Sequence, residues 1–154
     1  MENFQIIKIT DKDILSEAIN FIHHHNFSLE TSSEKIFNNF DVRILGLIIK
    51  SIEKNVAGVI FYYYQHKIKI KETNYKVINF STIYIKEQYR GKGLLSLMLK
   101  ETKELFSDYI ITGYTLDPKV RHISSKLGFN YMKNYRSLIL PMPKLKSIFS
   151  LKIG

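Results

Sequence analysis

Residues 77–99 constrain this chain more than any other stretch. A β-branched and aromatic run, Val77–Ile85, passes through Lys86-Glu87-Gln88-Tyr89 into Arg90-Gly91-Lys92-Gly93, and a Leu/Met-rich helical segment begins at Leu94. Strand, glycine-punctuated basic turn and helix in immediate succession make an anion cradle. The N–H groups of the turn and of the first helical turn point outward, where together they favour a phosphate. Gly91 and Gly93 remove side chains where a ligand must approach the backbone, and Arg90 and Lys92 add positive charge. The pattern is not a P-loop, which needs a longer gap and a Gly-Lys-Ser/Thr ending. The glycine spacing excludes a dinucleotide fingerprint as well. On this stretch alone, an ordinary strand–loop–helix connection with two chance glycines gives the same letters, so the rest of the chain has to decide.

The flanking sequence reads as an alternation of strands and helices. Phe4–Ile9 alternates toward a strand, and Asp11 or Asp13 then caps a helix through about His25, with Ile14, Leu15, Ala18, Ile19 and Ile22 at helical spacing. Thr31-Ser32-Ser33-Glu34 has the form of a capping box and opens a short helix to about Phe40. Ile44–Ser51 and Val56–Tyr64 make a hairpin around Glu53-Lys54-Asn55, and the polar, basic residues 65–75 are expected to form a second hairpin loop. After a helix over about Leu94–Phe106 come an apolar strand, Tyr109–Thr115, and a helix that Asp117 caps, Pro118 starts and Gly128 ends. Phe129–Leu140 is one long strand or a tight hairpin, stopped by Pro141 and Pro143. Residues 1–143 are expected to form one domain, with 144–154 a loosely held tail.

Composition narrows the chemistry. At 154 residues the chain suits one domain with a substantial core. The absence of cysteine removes a disulfide framework, a thiolate metal site and a cysteine nucleophile together. Charge alternates with hydrophobicity from Glu2 to Thr10, unlike a signal peptide, and no segment approaches the roughly 20 apolar residues of a membrane span. The expectation is a soluble, cytoplasmic protein. The formal net charge of +9 comes mostly from lysines scattered along the chain, which reads as a solvated surface rather than a nucleic-acid footprint. His23-His24-His25 does not suggest a metal site, because neighbours on a helix fan out by about 100° each and cannot converge on one ion. Tyr62-Tyr63-Tyr64 alternates faces on a strand, so at least one of the three is expected at the surface.

The central stretch resembles motif A of the GNAT acyltransferase superfamily: a strand ending in Leu-x-Val, a short gap, then Arg/Gln-x-x-Gly-x-Gly/Ala opening a helix. Ile83-Tyr84-Ile85 stands for the strand end and Arg90-Gly91-Lys92-Gly93-Leu94-Leu95 for the turn, with Leu95 where the family prefers Gly or Ala. Gln88, Gly91 and Gly93 satisfy the pattern literally, but that register moves the turn two residues toward the strand and is set aside. A second motif, Ser125-Lys126-Leu127-Gly128-Phe129, is similar to the family's Tyr-Glu-Lys-Leu-Gly-Phe, with Ser124 at the Tyr position. The order of elements also resembles the family's from end to end. What the resemblance implies is an α/β (α+β) GNAT fold, with a central mixed, splayed sheet of about seven strands flanked by about four helices.

The same resemblance implies a site. It puts the backbone of Ile83, Tyr84 and Ile85 along the pantetheine of acyl-CoA, and Arg90, Gly91, Lys92, Gly93 and Leu94 around its diphosphate, with Phe129 closing the region from the other side. The co-substrate implied is acetyl-CoA or another acyl-CoA, with no metal. Two departures bear on catalysis: Ser124 replaces the thiolate-protonating Tyr, and Asp117 replaces an Asn that often starts this helix. The catalytic candidates are Ser124, Tyr131 and Tyr84, with Tyr114 and His122 nearby and Asn79 and Ser81 on the motif strand. The activity implied is N-acyl transfer, most simply of acetyl, to a small-molecule or protein amine in a ternary complex. The alternative is a catalytically silent CoA-binding module with a regulatory or partner role.

Overall fold

The computed structural model describes residues 3–24, 44–115, 117–132 and 137–140. Its elements run β1 (Phe4–Lys8), α1 (Lys12–His23), β2 (Gly46–Ser51), β3 (Val56–Ile70), β4 (Thr73–Ile85), α2 (Leu94–Leu105), β5 (Tyr109–Tyr114), α3 (Pro118–Lys126), β6 (Asn130–Met132) and β7 (Ser137–Leu140). A 3-10 turn, Glu87–Tyr89, sits between β4 and α2. Hydrogen-bonded strands follow the order β1-β2-β3-β4-β5-β7-β6. The β4–β5 pair is parallel, while β1–β2, β2–β3, β5–β7 and β6–β7 are antiparallel. This is a mixed α/β sheet with seven strands and three α-helices among the described residues. The helix expected over Thr31–Phe40 and the tail 144–154 lie outside the described residues.

The chain packs as two units: Met1–Tyr64 with Phe80–Met98, and Gln65–Asn79 with Leu99–Gly154. Both β4 and α2 begin in one unit and end in the other.

In the first unit, α1 forms because Asp11 accepts from the amides of Asp13 (3.0 Å) and Ile14 (2.9 Å), capping two of the donors that every helix start leaves without a partner. Leu15, Ala18, Ile19 and Ile22, at the spacing of one helical face, are buried. They cluster with Ile9, Leu45, Ile48, Val59 and Phe61, and Phe21 and Tyr84 pack against that cluster. Lys50 on β2 reaches Glu17 on α1 at 2.6 Å. The β2–β3 hairpin turns through Lys54 at φ 61°, with Asn55 held by Glu53, as the polar Glu53-Lys54-Asn55 run implied.

In the second unit, β4 pairs with β5 from Lys76↔Tyr109 to Asn79↔Thr112, and β4 itself continues to Ile85. The region 129–140 is a hairpin of β6 and β7, with Tyr131 opposite Leu138, rather than one long strand. Helix α3 starts at Pro118 under the Asp117 cap, whose carboxylate accepts from Lys119 N–H at 2.8 Å.

One expectation is corrected. Residues 65–75 are not a long loop: β3 runs on to Ile70, β4 starts at Thr73, and only Lys71-Glu72 turns, with Lys71 at φ 54°. The Lys67-Ile68-Lys69-Ile70 alternation has the period of a strand, and its charge density hid that period.

Gly46 faces β3 so closely that an added Cβ would collide with the Ile60 carbonyl oxygen. Because the obstacle is backbone, Gly46→Ala is expected to destabilise the protein by about 3 kcal/mol, the upper range for overpacking. Urea unfolding of the variant beside the wild type checks this, and an unchanged midpoint would contradict it.

Candidate functional site

The turn that follows β4 has the form expected of the central motif. Lys86 N–H donates to the Ala57 carbonyl at 2.9 Å, fixing the strand end against β3. At Gly58 an added Cβ would come within 2.9 Å of the Tyr84 carbonyl oxygen, so β3 and β4 approach closely at the motif. The 3-10 turn then carries the chain down to Tyr89, which is 7% exposed and meets Phe4 edge-on at 5.7 Å. Gln88 lies within that 3-10 turn.

Past Tyr89 the chain rises to the surface. Gly91 at φ 79° and Gly93 at φ 78° occupy the left-handed region that residues with a Cβ adopt only at a cost. An added Cβ would meet nothing within 4 Å at either glycine, so the turn is open and the glycines are required by conformation rather than by crowding. The first intrahelical bond of α2 is Leu97 N–H to the Gly93 carbonyl at 3.1 Å. The amides of Leu94, Leu95 and Ser96 therefore lie ahead of the helical ladder and have no acceptor within it. Helix α2 carries no acidic residue in its first turn. Amides ahead of the helical ladder, the positive end of a helix and two exposed cations make an arrangement suited to a phosphate-bearing anion.

The charged side chains are held in place. Arg90 Nε donates to the Ile85 carbonyl at 3.1 Å, and its guanidinium carbon lies 5.8 Å from the Tyr84 ring centroid. Lys92 Nζ lies 5.2 Å over the Tyr89 ring. Leu94 is buried and anchors the helix start, while Ile83, Tyr84 and Ile85 are half-buried on β4. The structure thus brings Ile83–Ile85 and Arg90–Leu94 together as one strand end and turn. The sequence reading missed the ring contacts, although Tyr89 three residues before Lys92 was a signal for one of them.

The second motif forms a complete helix end in the second unit. Phe129 N–H donates to Ser124 O and Gly128 N–H to Ser125 O, both at 3.0 Å, with Gly128 at φ 87°. This is a Schellman cap, and Lys103 Nζ adds a bond to the Leu127 carbonyl at 2.9 Å. Ser124 is 1% exposed, and its hydroxyl donates back to the Val120 carbonyl at 2.8 Å. Phe129 is 2% exposed and His122 is exposed. Tyr131 lies in β6 and Tyr114 at the end of β5. On β4, Ser81 is exposed, and the buried Oδ1 of Asn79 has no hydrogen-bond partner among the described residues.

No protein-family model and no curated protein sequence matches the chain. Solved structures do. The NatC complex bound to Gag peptide and CoA is similar at TM-score 0.64 and 18% identity, covering 92% of this chain and 99% of that one. The ribosomal-protein-S18-alanine N-acetyltransferase of Escherichia coli is similar at TM-score 0.62 and 16% identity, over 91% of this chain and 94% of that one. A GNAT family N-acetyltransferase of Escherichia coli in complex with CoA gives TM-score 0.61 and 16% identity, over 85% and 71%. At these identities the likeness is one of fold, and that fold is the GNAT fold.

Because Gly91 and Gly93 are conformationally required but uncrowded, Gly91→Ala and Gly93→Ala are each expected to cost about 1 kcal/mol of stability, with Asn at either position costing less. Chemical denaturation of the four variants checks this. Equal costs for Ala and Asn would show that left-handed strain is not the cause.

Proposed function

From the GNAT fold and the open turn at Arg90–Leu94, we propose that this chain is an acyl-CoA-dependent N-acyltransferase that transfers an acetyl group to an amine. The observation that carries the reading is the pair of left-handed glycines, flanked by cations, at the start of α2. Its support is that two similar folds, a GNAT family N-acetyltransferase and the NatC complex, are solved with CoA, and that a third bears the name of an N-acetyltransferase.

A bound acyl-CoA supplies an activated thioester, so positioning contributes much of the rate. In this reading the amides of Gly93, Leu94 and Leu95 hold the diphosphate, with Arg90 and Lys92 balancing its charge. The backbone of Ile83–Ile85 takes the pantetheine amides as an added strand would. The neutral amine attacks the thioester carbonyl, the C–N bond forms and the C–S bond breaks. The amine then releases one proton while the CoA thiolate gains one. The family resemblance makes Tyr84 and Tyr131 the candidates for proton transfer and Phe129 the candidate for closing the pantetheine region.

A second reading is favoured by one observation. The Ser124 hydroxyl, at the position of the usual thiolate-protonating Tyr, is buried and donates to Val120. A chain without that acid can bind CoA and not turn it over. The acceptor, in the first reading, is an amine on a small molecule or a protein.

Calorimetric titration with acetyl-CoA and with CoA tests the shared premise. Wild type is expected to bind both, and Arg90→Glu, which sets a carboxylate against the diphosphate, to bind at least about 100-fold more weakly. No binding by wild type would remove both readings. Release of free thiol from acetyl-CoA with an amine panel then separates them: release supports the enzyme, and binding without release supports the silent module.

A further inference from the structure

Both cations of the turn rest on tyrosines. Arg90 lies 5.8 Å from the Tyr84 centroid and Lys92 5.2 Å from that of Tyr89. Each ring is itself packed within the first unit: half-buried Tyr84 meets the Phe21 ring of α1 at 5.7 Å and packs against the buried cluster, and buried Tyr89 meets Phe4 of β1 at 5.7 Å. The rings are thus fixed from behind while the cations they carry are exposed. Arg90 has a second tether, its Nε bond to the Ile85 carbonyl.

We propose that Tyr84 and Tyr89 are positioning residues that hold Arg90 and Lys92 in place for the diphosphate of an acyl-CoA before it arrives, an inference that rests on the acyl-CoA reading above. A long cationic side chain in water samples many rotamers and loses that freedom when it closes on an anion. A cation already seated on an aromatic face has lost part of it in the free protein. For Arg90 the geometry suits the task. The Tyr84 ring meets the guanidinium at its carbon and the Ile85 carbonyl takes Nε, which leaves Nη1 and Nη2 to meet two phosphate oxygens side by side. Helix α1 and strand β1 thereby bear on cofactor affinity through Phe21 and Phe4, without touching the cofactor.

The test is a pair of double-mutant cycles read by calorimetric titration with CoA at low salt. Tyr84→Leu and Tyr89→Leu are each expected to weaken binding by about three- to five-fold, and the Phe variants, which keep the ring face, to recover most of the loss. Tyr84→Leu should add nothing in an Arg90→Ala background, nor Tyr89→Leu in a Lys92→Ala background. Equal losses with and without the cation would show a purely structural role and overturn the proposal, as would no loss in the wild-type background. A second readout needs no change to the core. The ring currents of Tyr84 and Tyr89 should shift the Arg90 and Lys92 side-chain protons upfield in the free protein and still do so with CoA bound. Loss of those shifts on binding overturns the proposal. The same cycles with inorganic pyrophosphate separate the two claims. Coupled binding of pyrophosphate without binding of CoA removes the acyl-CoA reading and keeps the tyrosine roles, and binding of neither removes both.

Discussion

The backbone between Ile85 and Leu94 has to leave a strand, enter a helix and keep several amides pointing at solvent. A chain of ordinary L residues resists that combination, because the amides come round only through left-handed conformations at alternate positions. Gly91 and Gly93 adopt them, and neither is crowded by a neighbour. Everything else at the site follows from that reversal. The helix begins one residue after Gly93, its positive end is exposed, and the two charged residues of the turn are carried on either side of Gly91.

Such a turn is only as well defined as its footing. The close approach of β3 at Gly58, the Lys86 bond to Ala57 and the burial of Tyr89 under Phe4 fix the strand end from one side. Buried Leu94 fixes the helix start from the other. The open segment is therefore short, Arg90 to Gly93, and both ends are anchored by apolar packing that a small domain can supply without disulfides or metal. The chemistry proposed for the chain is of a kind that such footing serves, since acyl transfer from a thioester depends heavily on position.

Much of this was legible in the sequence where one local signal decides the outcome. The helical spacing of Leu15, Ala18, Ile19 and Ile22, the Asp117-Pro118 start and the Gly128 stop each rest on a single physical rule, and the structure obeys all three. Residues 65–75 misled because two rules competed. Charge suggested a loop, and the alternation through Lys67–Ile70 specified a strand. The state of Ser124 was not legible, because whether a hydroxyl inside a helix turns back to the carbonyl four residues earlier depends on what surrounds it. The pairing of Arg90 with Tyr84 was hidden for another reason. Five residues, three of them in a 3-10 turn, lie between them, and no periodic pattern reports a contact across a turn.

In the function proposed, the amides of this turn receive the diphosphate of an acyl-CoA. The most direct measurement is the backbone 1H–15N spectrum of the protein as CoA is added. The amides of Gly91, Gly93, Leu94 and Leu95 are expected to move furthest, in step with one saturable binding curve. Binding that leaves those four amides in place while others move would contradict it.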